Sequence, residues 1–151
     1  TYTHSAITTT KREYNVGSAE YKQGVKQTRP LVNQAPHTAN LSLLYKDTNY
    51  GWNAQLAASY TGTKLALVSP FKDADQWDKA MFGLDLSAEK KFDCGVSIFM
   101  KANNLLDAKR ERYLKTVNES NLQYEGQRSD KTIVGTYKYG RTFLVGVRVK
   151  L

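Results

Sequence analysis

The amino-acid sequence predicts an all-β protein, an antiparallel up-and-down sheet of about six strands. Two observations carry this prediction. Apolar and polar residues alternate along several segments, and short and long connections alternate between those segments. Because successive side chains of a strand point to opposite faces, each such segment has one apolar face and one polar face.

The alternation is clearest at the C-terminal end of the chain. Every second residue is apolar there: Phe143, Val145, Val147, Val149 and Leu151. The residues between them are Leu144, Gly146, Arg148 and Lys150. Terminal residues of a soluble domain usually fray unless they are tied down, whereas an outer-membrane strand is apolar towards lipid and polar towards the lumen. The pattern therefore indicates the C-terminal part of a transmembrane β-barrel.

Five other segments complete the predicted sheet. They cover residues 2–11, 38–46, 52–61, 82–88 and 96–102. The last four repeat the alternation, and the apolar face of one of them begins at Trp52 and ends at Tyr60, as expected for the aromatic girdles of a membrane barrel. The segment 2–11 is rich in Thr but poorly patterned, so its assignment rests on strand propensity.

These faces assign residues to two environments. We expect the apolar set to face lipid, including Leu41, Leu43, Leu56, Leu84, Leu86 and Ile98. We expect the polar set to line the lumen or to touch the plug: Asn40, Ser42, Asn53, Gln55, Asp85, Glu89, Lys101, Arg148 and Lys150. The alternative is that the apolar face is the packed core of a soluble sheet.

The connections support a membrane barrel independently of the strands. Residues 47–51 and 92–95 read as tight, Gly-bearing hairpin turns, whereas residues 14–36, 68–77 and 107–138 are long and polar. Outer-membrane barrels have short turns on the periplasmic side and long loops outside. A soluble lipocalin has no reason to sort its loops in this way, although the length of the chain allows one.

Composition narrows the classes of partner. The chain has 22 Lys and Arg against 14 Asp and Glu, a net charge of +8. The cations are scattered and show neither a recognition-helix pattern nor an aromatic RNA-binding signature, so we expect no nucleic-acid partner.

No apolar run is long enough for a transmembrane helix, and barrel strands need only about 9 to 11 residues. The chain opens at Thr1 without a leader, which predicts a processed product or a fragment.

Side-chain chemistry predicts neither an enzyme nor a metal or cofactor site. The single cysteine, Cys94, has no partner for an internal disulfide, and His4 and His37 lack neighbours at metal-ligand spacing. Carboxylate pairs such as Asp73 with Asp75 have no nucleophile beside them in the sequence.

Three stretches resemble TonB-dependent outer-membrane receptors, especially those of Bacteroidota. The stretch Asn103–Asp107 is similar to the Asn-Leu-Phe-Asp element before the last long loop, and residues 139–151 resemble the closing strand. Residues 33–36, followed by Asn40, are similar to the Gly-Gln-Ser-Pro stretch that leads into an earlier strand. The resemblance spans about residues 29–151. It rests on the order and spacing of these stretches together.

The resemblance implies a receptor that binds a scarce nutrient outside the cell and admits it past a plug domain, driven by TonB. It implies four partners: outer-membrane lipid, the remaining strands and plug of the same barrel, TonB through a missing N-terminal part, and a surface lipoprotein lid. Barrels of this class have about 22 strands, so residues 1–151 are expected to be a C-terminal portion that pairs at both edges with further strands.

The resemblance also assigns two sets of site residues. The barrel-assembly signal is the apolar set Phe143, Val145, Val147, Val149 and Leu151, although the family usually ends on Phe. Ligand recognition is expected in the long extracellular loops, at Tyr21, Lys22, Trp77, Arg110, Arg112, Tyr113, Tyr124 and Arg128. These types suit stacking on a ring and gripping an anion. Two alternatives stay open: a structural or adhesive barrel without transport, and a soluble lipocalin-like binding protein.

Overall fold

A computed structural model describes residues 1–14, 21–114 and 132–150, with side chains except those of residues 14 and 21–23. The described chain is all-β, with eleven strands. They are β1 (Ile7–Tyr14), β2 (Tyr21–Arg29), β3 (Thr38–Asp47), β4 (Trp52–Thr61), β5 (Lys64–Leu67), β6 (Gln76–Asp78), β7 (Met81–Lys91), β8 (Val96–Asn103), β9 (Lys109–Leu114), β10 (Thr132–Lys138) and β11 (Thr142–Val149).

The strands form three sheets, with the orders β1-β2, β10-β9-β6-β5 and β11-β8-β7-β4-β3. The chain divides into two compact units. The hairpin unit comprises Thr1–Thr38, Gly62–Ala80 and Arg110–Tyr137, and the sheet unit comprises Ala39–Thr61, Met81–Lys109 and Lys138–Leu151. The sheet unit contains both tight turns and the five-stranded sheet, whereas the hairpin unit takes most of the three long connections.

Five of the predicted strands are confirmed as β3, β4, β7, β8 and β11, and they are neighbours in chain order within one antiparallel sheet. The prediction of about six strands in one sheet is wrong. The N-terminal strand begins at Ile7 rather than at residue 2 and pairs with β2 in a separate sheet. The long connections contain β2, β9, β10 and most of β6, β5 lies directly before the second of them, and the described residues form no closed barrel.

The register aligns the apolar side chains across the five-stranded sheet. Leu56 lies opposite Leu86, which lies opposite Ala102 on the next strand, and Ala102 lies opposite Phe143. Directly opposed residues of antiparallel strands share a face. The predicted apolar sets of β4, β7, β8 and β11 therefore form continuous rows on one face of the sheet.

This apolar face has exposed side chains on every strand, although Ala102 within it is buried. Leu41 on β3 has 65% of its surface exposed, and Val145 on β11 has 71%. Among the described residues the buried hydrophobic side chains are Leu65, Ala66 and Ala102, and of these only Ala102 belongs to the sheet unit. The five-stranded sheet therefore has no packed core of its own.

The tight turn at residues 47–51 follows from its residue types. Asp47 Oδ1 accepts hydrogen bonds from the backbone N–H groups of Asn49 (2.9 Å) and Tyr50 (3.1 Å), which is an Asx-type turn. Gly51 has φ 66°, and a Cβ at this position would overlap the carbonyl oxygen of Lys91. Glycine is therefore required at Gly51, and the turn fixes the register of the β3–β4 hairpin.

Candidate functional site

The structure places four of the predicted ligand residues on two paired strands rather than in loops, with Trp77 and Tyr113 on one face and the two arginines on the other. Trp77 on β6 lies opposite Tyr113 on β9, and Arg112 lies one residue before Tyr113, opposite Asp78. Arg110 lies on the same strand as Arg112. The prediction that these residues lie in loops is wrong, because β6 and β9 pair within the long connections.

The other predicted ligand residues are not brought to this cluster by the structure. Tyr21 and Lys22 form the start of strand β2 rather than a loop, opposite Tyr14 and Glu13, and their side chains lie outside the described part of the structure. Tyr124 and Arg128 lie outside the described residues, and their assignment stays a prediction.

Both arginines of the cluster are held by a carboxylate that the sequence analysis did not single out. Asp78 is 2% exposed and accepts hydrogen bonds from Arg110 Nε (3.0 Å) and Nη2 (2.5 Å) and from Arg112 Nε (2.9 Å). The guanidinium of Arg112 also lies 6.0 Å from the centre of the Tyr137 ring. These charge-assisted bonds fix the two side chains, so their first role is to hold β6 to β9.

The charge of Asp78 is stabilised in place. Burial on its own would raise the pKa of Asp78, but hydrogen bonds and attraction from Arg110 and Arg112 outweigh burial and lower that pKa below its ordinary value. Asp78 therefore stays ionised, as its two cationic partners require. The local signal in the sequence is weak, because a single Asp beside Trp77 resembles any surface carboxylate.

A second charged contact anchors the segment between β5 and β6 to strand β1. Lys11, which is 3% exposed, donates to Asp75 Oδ1 at 2.5 Å, and the same oxygen accepts the Ser69 N–H at 2.8 Å. Lys72 donates to Glu13 at 2.6 Å, and this bond is the main cause of the raised pKa of Lys72. The hairpin unit is thus held together by buried or half-buried ion pairs.

The polar face of the five-stranded sheet forms a cleft of about 560 Å³. Its lining includes predicted lumen residues, namely Asn53, Gln55, Glu89, Lys101 and Arg148. Gln55 donates to Ser42 at 2.8 Å, and Arg148 donates to Glu89 at 3.2 Å while its guanidinium lies 5.6 Å from the centre of the Phe99 ring. The predicted polar residues thus share one face, and hydrogen bonds between strands link several of them.

The stretch Asn103–Asp107 forms a junction between β7, β8 and β11. Asn104 has φ 55°, a left-handed conformation that asparagine tolerates. Its side chain donates to the carbonyl of Gly140 at 2.8 Å and accepts the N–H of Ala108 at 2.8 Å, while its own N–H donates to Asp85 at 2.8 Å. Asparagine suits this position because its side chain both donates and accepts hydrogen bonds.

The predicted assembly signal lies on the apolar face of β11. Phe143, Val145, Val147 and Val149 are all exposed, and Leu151 lies outside the described residues. On the opposite face Gly146 lies against the ring of Phe99, which a Cβ at this position would overlap. The edge strand therefore has an uncovered apolar row on one face, and on the other face the Phe99 ring covers Gly146.

Among the described residues, no group of three His, Cys, Asp or Glu side chains could hold a metal ion. No helix in the same residues is long and apolar enough to cross a membrane. No protein-family profile, curated protein or solved structure matches this chain. The faces of the sheet and the geometry of the hairpin unit are therefore the observations that bear on function.

Proposed function

We propose that this chain is part of a TonB-dependent outer-membrane nutrient receptor. The sheet unit forms part of the barrel wall, and the hairpin unit supplies the extracellular ligand-binding part. The single observation that carries the proposal is the continuous, exposed apolar face of the five-stranded sheet, with its side chains aligned across the strands. Soluble proteins rarely expose contiguous apolar patches of this kind, whereas lipid covers such a face in a membrane barrel.

The two ends of the apolar face carry aromatic residues of the kind found at membrane interfaces. At one end Trp52 lies opposite Lys90, whose ammonium group is 5.1 Å from the Trp52 ring centre. At the other end of the same strands Tyr60 lies opposite Phe82. Aromatic rings with a nearby cation are typical of the boundary between hydrocarbon and headgroups.

The dimensions of the face also suit a bilayer. Strand β4 runs about 27 Å from Trp52 to Tyr60, at about 3.4 Å per residue. A strand tilted by about 40° would then cover about 21 Å along the bilayer normal, close to the roughly 25 Å apolar band of outer-membrane barrels. The two aromatic ends therefore lie at a separation appropriate for the two interfaces.

The two edge strands of the sheet need partner strands in the proposed barrel. In the described residues β3 and β11 each have a neighbour on one side only. In hydrocarbon every backbone N–H and C=O must be satisfied within protein, so both edges must pair with further strands of the barrel. A soluble cup, by contrast, closes its own sheet and buries its apolar face inside.

The two tryptophans of the chain allow a direct test in the assembled barrel, with any tryptophan of the partner strands replaced by Phe, in phosphatidylcholine vesicles with brominated acyl chains. In a Trp77→Phe variant, the fluorescence of Trp52 should be quenched, most strongly by bromine near the headgroup end of the chains. In a Trp52→Phe variant, the fluorescence of Trp77 should be unaffected, which controls for non-specific contact with lipid. Unquenched Trp52 in protein that co-floats with the vesicles would refute the membrane assignment.

A further inference from the structure

We propose that a cavity in the hairpin unit binds one neutral sugar ring, such as a hexopyranoside unit of a glycan. The cavity has a volume of about 220 Å³, and its lining comprises Gln27, Thr28, Arg29, Pro30, Asp73, Asp75 and Trp77. Ligand pockets for drug-sized molecules occupy about 300–1,000 Å³, so this cavity suits a single ring. The inference adds a ligand class to the proposed receptor and in that respect rests on the proposed function.

The cavity is built by two segments that ion pairs hold in place. Gln27 and Arg29 lie two residues apart on β2, so their side chains share one face of the β1–β2 sheet. The facing segment is fixed to β1 by the Lys11–Asp75 ion pair and by backbone hydrogen bonds of Arg12 with Pro70 and Lys72 (2.9 and 2.8 Å). The walls are therefore formed before any ligand binds, which reduces the entropy cost of binding.

Two lining groups are fixed against each other and orient the polar wall. Gln27 Nε2 donates to Asp73 Oδ1 at 2.8 Å, and the N–H of Asp73 donates to Gln27 Oε1 at 3.4 Å. Asp75 uses Oδ1 for both of its hydrogen bonds, to Lys11 and Ser69, so its second oxygen is not engaged by them. Carboxylate oxygens placed in this way can accept hydrogen bonds from the hydroxyl groups of a sugar.

One lining donor lacks a partner within the protein. The buried Nε–H of Arg29 has no hydrogen-bond acceptor among the described residues, and neither does the buried hydroxyl of Thr9, which lies opposite Gln27. That Nε atom is shielded from the cavity as well, so a ligand would meet Arg29 through its terminal guanidinium nitrogens, which can donate to a sugar hydroxyl or ring oxygen.

The charges around the cavity favour a neutral ligand. Asp73 and Asp75 carry two negative charges, which Arg29 and the Asp75-bound Lys11 balance. An anionic ligand would meet the carboxylates, and a cationic one would meet Arg29. Trp77 supplies an apolar ring surface of the kind on which the C–H faces of a sugar stack.

The test uses the fluorescence of Trp77 in a Trp52→Phe background, with the whole chain in detergent solution. The probes are methyl α-glucopyranoside, methyl α-mannopyranoside, methyl α-galactopyranoside and, as the charged comparison, glucuronate. We expect a saturable fluorescence change with at least one neutral glycoside and weaker binding of glucuronate. Arg29→Gln should weaken the binding by about tenfold, because one hydrogen bond from a charged donor is lost.

The matched control is Arg12→Gln, because Arg12 lies on the same hairpin but has an exposed side chain that is not part of the cavity. It should leave binding unchanged, and the circular dichroism of both variants should match that of the parent. The proposal is overturned if no neutral glycoside binds, if glucuronate binds more tightly, or if both arginine variants weaken binding equally. These outcomes do not depend on lipid quenching of Trp52, so each hypothesis can fail separately.

Discussion

The two faces of strand β11 give the sharpest test of the membrane assignment. Leu144 and Val145 are adjacent, both are apolar and exposed, and they point to opposite faces. Val145 lies opposite Met100 on the apolar face, whereas Leu144 lies opposite Lys101 on the polar face. The same substitution, to arginine, therefore measures the environment of each face with almost everything else constant.

The expected magnitudes differ strongly between the two positions. Val145→Arg places a charge near mid-strand on the apolar face, which costs about 2–4 kcal/mol if that point lies near the bilayer midplane. This cost corresponds to a change of about 30-fold to 1,000-fold in the folding equilibrium, at about 1.4 kcal/mol per factor of ten. Leu144→Arg adds a like charge opposite Lys101 and should cost below about 1 kcal/mol.

The position of a residue along β11 provides a control that distinguishes contact with lipid from contact with a protein surface. Val149 lies on the same face as Val145 but at the end of the strand, so Val149→Arg should cost only about 0–1 kcal/mol near an interface. The assay is denaturant-dependent refolding into lipid vesicles, with the protein assembled with its partner strands. Equal costs at Val145 and Leu144 would refute the reasoning, and equal costs at Val145 and Val149 would indicate a soluble interface.

Three further predictions concern the hairpin unit, the junction and the lumen. Asp78→Asn should destabilise the hairpin unit by about 3 kcal/mol, because two cations lose a buried partner. Since the pKa of Asp78 is lowered in the folded state, its contribution to stability is present above the unfolded pKa of about 3.9. That contribution is lost as the pH falls through the folded pKa. Asn104→Ala should cost about 2 kcal/mol in chemical denaturation, because two side-chain hydrogen bonds are lost. A photo-reactive side chain at Gln55 in whole cells should crosslink to a plug domain, whereas one at Leu56 should crosslink to lipid.

Each of these predictions has a matched control. Glu111→Gln is the control for Asp78→Asn, because it removes a half-buried carboxylate from the same strand pair and should cost less. Acid unfolding that is identical in the parent and Asp78→Asn would contradict the pKa argument. Asn104→Gly should be milder than Asn104→Ala, because glycine accepts the positive φ. Lipid crosslinks from both Gln55 and Leu56 would contradict the assignment of the faces.

The strands that have one apolar face and one polar face could be predicted from the sequence, because apolar residues recur at every second position. In β4, β7, β8 and β11 each second side chain is apolar, and the register places these side chains in rows on one face. The turns were equally predictable, because Gly51 and Asp47 carry local chemistry that requires a turn. Both kinds of signal are local in sequence, and therefore periodicity and residue type are sufficient to find them.

The strands of the hairpin unit could not be predicted in this way. Strand β9 reads Lys-Arg-Glu-Arg-Tyr-Leu, which looks like a solvated loop, yet Arg110 and Arg112 are paired with a carboxylate 32 and 34 residues away. Strand β2 contains Gly24 and little apolar sequence, yet its Gln27 pairs with Asp73. Polar pairing over such separations leaves no periodic pattern in either partner segment.

The buried ion pairs of the hairpin unit affect how this protein can change in evolution. A hydrophobic core restricts substitutions because every neighbour must repack, whereas an ion pair such as Lys11–Asp75 constrains mainly the few groups that it joins. The hairpin unit can therefore acquire new binding surfaces through compensated pairwise changes. The sheet unit must keep its alternation of apolar and polar residues, so related proteins should differ most in the hairpin unit.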